Sequence, residues 1–268
     1  MALYSNTLAG LRQYVSAQIN DLILATAASA GSVSFTDTTL RKGDDYYNEH
    51  GYRGYCYGGS AIGQEREVSD FVNSGSTIIF DPAFSPAIAN GDKFELHRIF
   101  TEGEYRKAIN LGIESLAGKY LVDIKDETIV LVADTYEYEL PLSMLYLHQI
   151  TTEKEADSGT FEVAGVIDPR DWSIIKSYPP KLKLDERQYG ITAGKDLRLE
   201  GQGAQPKVDD DTDIIYLPPD WLVQKAITFL PQSKVQSNQL DNTYRQAQVL
   251  SAKEPHSYPH PISQSIVE

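Results

Sequence analysis

One stretch, residues 101–120, constrains the fold more than any other part of this chain. Its sequence is TEGEYRKAINLGIESLAGKY, in which Thr101 and Glu104 have the spacing of a capping box at a helix start. Apolar and small residues then recur every three or four positions and predict one continuous stripe, formed by Tyr105, Ala108, Ile109, Gly112, Ile113, Leu116, Ala117 and Tyr120. Patterns typical of β-strands lie on both sides. We therefore expect this helix to form the floor of a small helical core from which two β modules project.

Three further stretches have helical periodicity. Residues 7–30 predict a first helix capped by Asn6 or Thr7, and Gly31 suits the left-handed stop position. Near the other end, two prolines open a helix that runs from 218 to Pro231, where proline must break or kink it. A last helix over 232–253 has few apolar residues, so we expect it to pack against partners as well as its own domain.

Two long regions alternate with the period of β-strands. Residues 32–98 contain short alternating runs separated by Gly, Asn, Asp and Pro, which favours a small antiparallel barrel or sandwich. Residues 121–217 contain enough candidate strands for a two-sheet antiparallel sandwich. The predicted fold class is α+β, with a helical core (residues 1–31, 99–120 and 218–252), an inserted barrel-like module (32–98) and a β-sandwich module (121–217). The final stretch, 253–268, predicts an extended C-terminal tail.

Composition narrows the function classes. The single cysteine, Cys56, excludes an intramolecular disulfide framework and a cysteine-based zinc site. No apolar run has the length of a membrane span, and the N-terminus lacks the pattern of a signal peptide. We therefore expect synthesis in a reducing cytoplasm and no membrane partner.

The net charge of −14 is concentrated in the β regions. Residues 120–220 hold 10 Lys and Arg but 21 Asp and Glu, whereas the helical parts are close to neutral. Such acidity disfavours adhesion to DNA or to an anionic membrane. Two interpretations stay open: the acid keeps an assembly soluble, or it lines a conduit along which DNA slides without sticking.

A search for catalytic or ligand-binding motifs gives only weak candidates. His256 and His260 have no third metal ligand near them in sequence, and the acidic run at 209–213 lacks the glycine and closing glutamate of a calcium loop. The glycine-rich stretch 58–64 lacks the Lys-Ser/Thr pair of a phosphate loop. His97 and His148 stand alone in predicted strands. We predict no catalytic residue, no metal site, no cofactor and no enzymatic activity.

A tyrosine cluster is the one candidate for an exposed recognition surface. Because tyrosine provides a large contact area at low entropic cost, such a cluster can mark an outer interface, although such residues more often form cross-strand packing. Its members are Tyr46, Tyr47, Tyr52, Tyr55 and Tyr57.

The order of these segments resembles the head-to-tail adaptor proteins of tailed bacteriophages, also called head-completion, neck or connector proteins. The resemblance rests on Gly63-Gln64 followed by Arg66-Glu67-Val68 and residues 75–82, on the central helix at 100–119, and on Leu197–Gly201 followed by 211–217 and Trp221. It extends from about residue 7 to residue 252. Each motif alone is mostly structural, and their order and spacing carry the likeness.

The resemblance implies a virion structural protein at the head–tail junction, synthesised in the cytoplasm of a bacterial host. Its subunits would form a ring, usually of twelve, that docks beneath the portal protein, contacts a downstream tail or nozzle protein and surrounds passing DNA without reading its sequence. The expected core anchors of the ring wall are Tyr105, Ile109, Ile113, Leu116, Trp221 and Phe229. The tail would contact the portal through Pro255, Tyr258, Pro259, Pro261, Ile262, Ile266 and Val267.

Two other function classes stay open on the sequence alone. A tail or receptor-binding virion protein would use the tyrosine cluster to bind a host-surface glycan. A small-molecule hydrolase on an unfamiliar β scaffold would require a catalytic carboxylate, which the sequence does not single out.

Overall fold

The structure is a computed structural model that describes residues 5–29 and 31–266. It divides the chain into two compact units: unit 1 is Met1–Ser115 with Lys207–Glu254, and unit 2 is Leu116–Pro206 with Pro255–Glu268. Six α-helices occur in the described part, and its strands pair antiparallel throughout, so the predicted α+β class is confirmed. The unit boundaries differ from the predicted ones. The first β module shares unit 1 with the helices, residues 207–217 leave the sandwich for unit 1, and the tail from 255 onward belongs to unit 2.

The helices of the described chain all fall in unit 1. They are α1 (Leu8–Gln18), α2 (Tyr46–Glu49), α3 (Glu102–Ser115), α4 (Pro219–Ile227), α5 (Gln232–Ser237) and α6 (Asp241–Leu250). Helix α1 begins at the predicted cap Thr7, whose side chain accepts a hydrogen bond from the Gly10 amide at 3.2 Å.

The prediction of one helix over 7–30 was wrong, because the chain turns after Gln18. Asn20 adopts a left-handed conformation (φ 58°), which asparagine tolerates better than most residues. The chain then forms strand β1 (Ile23–Thr26). Gly31 does not end a helix; it makes an isolated bridge with Ile88.

Helix α3 begins as predicted. The Thr101 amide donates to Glu104 Oε2 at 2.8 Å, and the Glu104 amide donates to Thr101 Oγ1 at 3.2 Å, which is the reciprocal pattern of a capping box. The helix ends at Ser115 rather than Tyr120, shortly before Gly118 takes a left-handed conformation (φ 77°). Gly112 allows α4 to approach closely, since a Cβ at that position would lie 2.7 Å from Leu222 Cδ1.

The other strands of unit 1 complete one six-stranded sheet with β1. They are β2 (Ser34–Thr36), β3 (Arg53–Gly58), β4 (Glu65–Val72), β5 (Thr77–Asp81) and β6 (Lys93–His97), in the order β1-β6-β3-β4-β5-β2. One face packs on phenylalanines: the Phe35 and Phe94 rings stack at 4.5 Å, and Phe80 lies 5.7 and 5.9 Å from them. This module is thus fixed by an aromatic core of its own.

The predicted helix over 232–253 is two helices. It breaks between α5 and α6, where Gln239 takes a left-handed conformation (φ 57°). Asn238, just before it, uses its side-chain amide to donate to the Lys234 carbonyl at 2.8 Å. As the sparse apolar pattern indicates, Ala247 is the one buried residue of α6.

Unit 2 contains two antiparallel sheets that share one core. One sheet contains β7 (Val122–Val130), β9 (Met144–Glu153), β10 (Phe161–Val166), β13 (Asp196–Gly203) and β14 (Gln264–Ser265). The other contains β8 (Glu137–Glu139), β11 (Trp172–Ile175) and β12 (Lys181–Leu184). Buried residues of both sheets, such as Leu147, Leu199 and Leu182, belong to a single apolar cluster, as in a β-sandwich.

Trp221 on α4 provides a test of helix packing in unit 1. It is 9% exposed, and its indole N–H donates to the Ser251 carbonyl at 3.1 Å. We expect Trp221→Ala to lower the free energy of unfolding by about 3–5 kcal/mol, because a large aromatic side chain leaves a cavity. Urea unfolding followed by circular dichroism measures the loss. Phe229→Ala is the control: Phe229 is 36% exposed, so its loss should be clearly smaller, and equal losses would contradict the packing described.

Candidate functional site: a buried ionic cluster

An arginine with no solvent exposure lies at the centre of unit 1. Arg12, on α1, donates from Nε to Glu95 Oε2 at 2.7 Å and from a terminal nitrogen to Glu95 Oε1 at 3.0 Å. It also donates to both carboxylate oxygens of Asp211, at 2.5 and 3.2 Å. The guanidinium fork therefore binds two carboxylates, each through two hydrogen bonds, which is the geometry that arginine favours over lysine. A third carboxylate oxygen, Glu102 Oε1, lies 3.5 Å from the nitrogen that binds Asp211 Oδ1.

A histidine extends the cluster along strand β6. His97 Nε2 lies 3.1 Å from Glu95 Oε2, and its Nδ1 lies 2.9 Å from the Asp21 carbonyl oxygen. Both partners are acceptors, so the protonated ring can donate to each. Burial alone lowers the pKa of His97, but the hydrogen bond and charge of Glu95 outweigh burial and raise it. Burial likewise opposes ionisation of Glu95, yet His97 and Arg12 lower the pKa of Glu95 to about 2.

Asp21 fixes the segment that leads into α3. Its carboxylate accepts the backbone N–H groups of residues 98, 99 and 100 at 2.8, 2.8 and 3.0 Å, and the Tyr105 hydroxyl at 2.7 Å. Burial, followed by the charge of Asp21, raises the pKa of Tyr105 well above its usual value, so Tyr105 stays a donor. The end of α1 and the start of α3 are thereby joined through one buried carboxylate.

The acidic run at 209–213 is the third part of the cluster. Besides binding Arg12, Asp211 accepts the Tyr55 hydroxyl at 2.9 Å, and Arg12 lies over the Tyr55 ring at 4.4 Å. The carbonyls of Asp211 and Asp213 accept the amides of Ala9 and Leu8 at the start of α1. These bonds satisfy donors that a helix leaves free in its first turn. The run is thus a structural partner of α1 and not merely a solvated turn.

The ionised groups of the cluster are paired with one another: Arg12 with Glu95 and Asp211, and His97 with Glu95. A cleft of about 310 Å³ beside it is lined by Tyr55, Ile62, Gly63, Glu102, Arg106 and residues 209–212. Arg106 pairs there with Asp209 at 3.1 Å. The geometry is that of a buried joint between α1, β6 and the 209–213 loop.

The predicted core anchors divide into two groups. Tyr105, Ile109, Ile113 and Leu116 are 0–2% exposed, and Trp221 is 9% exposed. Phe229 differs: it is 36% exposed because α4 ends at Ile227 and leaves it beyond the helix. It is therefore not a buried anchor.

The tyrosine cluster is packed within unit 1 instead of forming an outer interface. Tyr47 and Tyr55 are 2% and 6% exposed, and Tyr46, Tyr52 and Tyr57 are half-buried. The Tyr47 ring contacts Phe71 edge-on at 4.8 Å and Tyr52 at 5.2 Å. The packing interpretation therefore describes this cluster, although Tyr46 and Tyr47 pack from helix α2 and not from a strand.

The tail lies on unit 2. Strand β14 pairs with β9, and the Ile266 amide donates to the Leu145 carbonyl at 2.9 Å. Ile266 is 1% exposed and belongs to the core of unit 2, so it is not a free portal contact. Tyr258 and Ile262 are 87% and 64% exposed. Of the other predicted contacts, Pro255 is half-buried, Pro259 and Pro261 are exposed, and Val267 lies outside the described residues.

Comparisons with known proteins do not assign a family. No protein-family model matches the chain, and no curated protein matches it in sequence. In the described part of the chain, no helix is both long enough and apolar enough to cross a membrane.

The ionic cluster predicts a large cost for removing its cation. In Arg12→Met, the carboxylates of Glu95 and Asp211 lose their shared partner inside the protein, so we expect a loss of about 3–5 kcal/mol in the free energy of unfolding. Arg53→Met is the matched control. Its partner Glu67 has a side chain that is 69% exposed, and such a pair contributes about 0–1 kcal/mol. Chemical unfolding of both variants measures these losses in the free energy of unfolding. Similar losses for the two variants would contradict a special role for Arg12.

His97 predicts a specific pH dependence. Because its pKa is raised on folding, its stabilising contribution is complete below the pKa of an unfolded histidine, about 6.5, and is lost as pH rises through the folded value. The free energy of unfolding should therefore fall as pH rises above that point in the wild type. His97→Gln should remove this slope, whereas His256→Gln, at an exposed position, should keep it. Identical profiles for wild type and His97→Gln would refute the assignment.

Proposed function

We propose that this chain is a virion structural protein, an adaptor that forms a ring between the portal and the tail of a tailed bacteriophage. The observation that carries the proposal is the position, within the fold, of the passages that resemble adaptor proteins. Glu102, from the passage that contains α3, and Asp211, from the passage before α4, both pair with Arg12, at 3.5 and 2.5 Å. Passages more than a hundred residues apart thus meet in one buried joint, as expected if the likeness reflects one shared fold rather than scattered coincidences.

Helix α6 supplies a second argument, for assembly with other subunits. Val249 and Leu250 at its end are 75% and 54% exposed, and Ala247 is its one buried residue. Exposed apolar side chains on such a helix are typical of surfaces that become buried in an assembly. We assign this surface to a neighbouring copy of the chain, because a ring requires one repeated head-to-tail contact around its axis.

The charge distribution is consistent with a conduit for DNA. An excess of carboxylates repels the phosphate backbone, so DNA would pass without sequence-specific binding. The portal and a downstream tail protein are the other proposed partners. In the described part of the tail segment, Tyr258, Pro259, Pro261 and Ile262 are exposed and could make a portal contact. The glycan-binding alternative is not carried forward, since burial of Tyr47 and Tyr55 removes the exposed tyrosine surface on which it rested.

Native mass spectrometry of the protein, alone and mixed with its portal ring, tests the proposal. We expect a closed ring, or a portal complex that carries one chain per portal subunit. The variant Leu250→Asp should lose this assembly while remaining folded, because a carboxylate cannot be buried cheaply in an apolar contact. Val163→Asp is the matched control, since Val163 is 91% exposed on β10. A wild-type chain that stays monomeric and ignores the portal would refute the adaptor function.

A further inference from the structure

The C-terminal segment lies against the β9 sheet of unit 2 through both backbone and side-chain contacts. Beyond the β14–β9 pairing, the His260 amide donates to Gln202 Oε1 at 2.9 Å. Ser257 contacts the backbone of Lys119 and Leu121. A further link between this segment and β9 would add to these contacts and stabilise the docked segment.

Two histidines meet where this segment crosses the sheet. The rings of His148, on β9, and His260 have centroids 5.3 Å apart and planes inclined by 32°. Two imidazoles that bind one tetrahedral Zn²⁺ at about 2.0–2.1 Å through their nitrogens have centroids roughly 5 Å apart. The observed centroid separation of 5.3 Å is close to this value.

One nitrogen of this pair lacks a partner. His148 Nδ1 is buried and makes no hydrogen bond in the described structure. A buried polar atom without a partner is costly, and imidazole nitrogen is a common ligand of zinc, copper and nickel. A metal ion would give such a nitrogen a partner.

The surroundings supply oxygen donors. A cleft of about 310 Å³ is lined by both histidines and by Asp123, Glu200 and Lys125. The Lys125 ammonium lies 2.6 Å from the Glu127 carboxylate, which offsets its charge. No group of three His, Cys, Asp or Glu side chains among the described residues already has metal-binding geometry. Water, or one carboxylate of the cleft after a side-chain rotation, would therefore supply the remaining ligands of an ion held by the two imidazoles.

We infer that His148 and His260 form a two-histidine site for a divalent transition-metal ion, with Zn²⁺ as the probe. Metal bound there links the C-terminal segment to β9 and stabilises the docked segment by mass action. The inference does not depend on the proposed function, since it rests on unit 2 alone. From the sequence, His256 and His260 are only a weak candidate pair and no metal site is predicted; the structure places His148 beside His260.

Calorimetric titration of the metal-stripped full-length protein with Zn²⁺ tests the site. We expect one Zn²⁺ per chain, and His148→Gln and His260→Gln should each weaken binding by about tenfold or more. His256→Gln is the matched control in the same segment and should bind as the wild type does. Thermal unfolding without metal verifies that the variants are folded.

Hydrogen exchange provides a second, independent measurement. Zn²⁺ should slow exchange of the amides at 264–266 in the wild type and leave them unchanged in His148→Gln. Absence of Zn²⁺ binding, or binding unaffected by both substitutions, would overturn the inference. Loss of binding in His256→Gln would assign the ion to the tail pair instead, and one Zn²⁺ per two chains would assign it to a contact between copies.

Discussion

The buried guanidinium of Arg12 is the constraint on which the rest of unit 1 depends. A charge inside a protein is tolerated only where counter-charges and hydrogen bonds surround it. Glu95 and Asp211 supply both, and they come from parts of the chain far apart in sequence. Helix α1, strand β6 and the 209–213 loop therefore have to pack together, because an arrangement without one of them would leave an ionised side chain of the cluster without its counter-charge.

This requirement gives the cluster a role in specificity as well as stability. Apolar contacts tolerate small shifts of one element past another. An arginine that binds two carboxylates through paired hydrogen bonds fits them in only one arrangement. Asp21 adds a second fixed point, since it binds three consecutive backbone amides and the Tyr105 hydroxyl. Together they fix the register of α1 and α3 against the sheet. Some of the Asp and Glu side chains of this unit therefore have a structural role, and removing them would change stability as well as solubility.

Local signals made part of this architecture predictable. The capping box at Thr101, the apolar stripe of α3 and the alternation of the β regions depend on neighbouring residues, and the sequence displays them directly. Arg12 was missed because a charged residue between apolar ones looks like a solvated position until its distant partners are known. The early end of α1 was missed because Asn20 and Asp21 act through a left-handed turn and contacts with residues 98–100. Pairs such as His148 and His260 depend wholly on tertiary structure.

The docked tail bears directly on how an adaptor of this kind could engage a portal. Ile266 belongs to the core of unit 2, so a portal contact through Ile266 requires β14 to leave β9. Exposing one isoleucine costs about 1.5–3 kcal/mol, which a modest interface can supply. Tyr258 and Ile262 need no such release, because both are exposed while the strand stays paired. The segment could therefore contact a portal in two ways. Its exposed residues could bind while β14 stays paired with β9, or the whole strand could leave β9 and pair with the partner. A link between the segment and β9 would disfavour the second way.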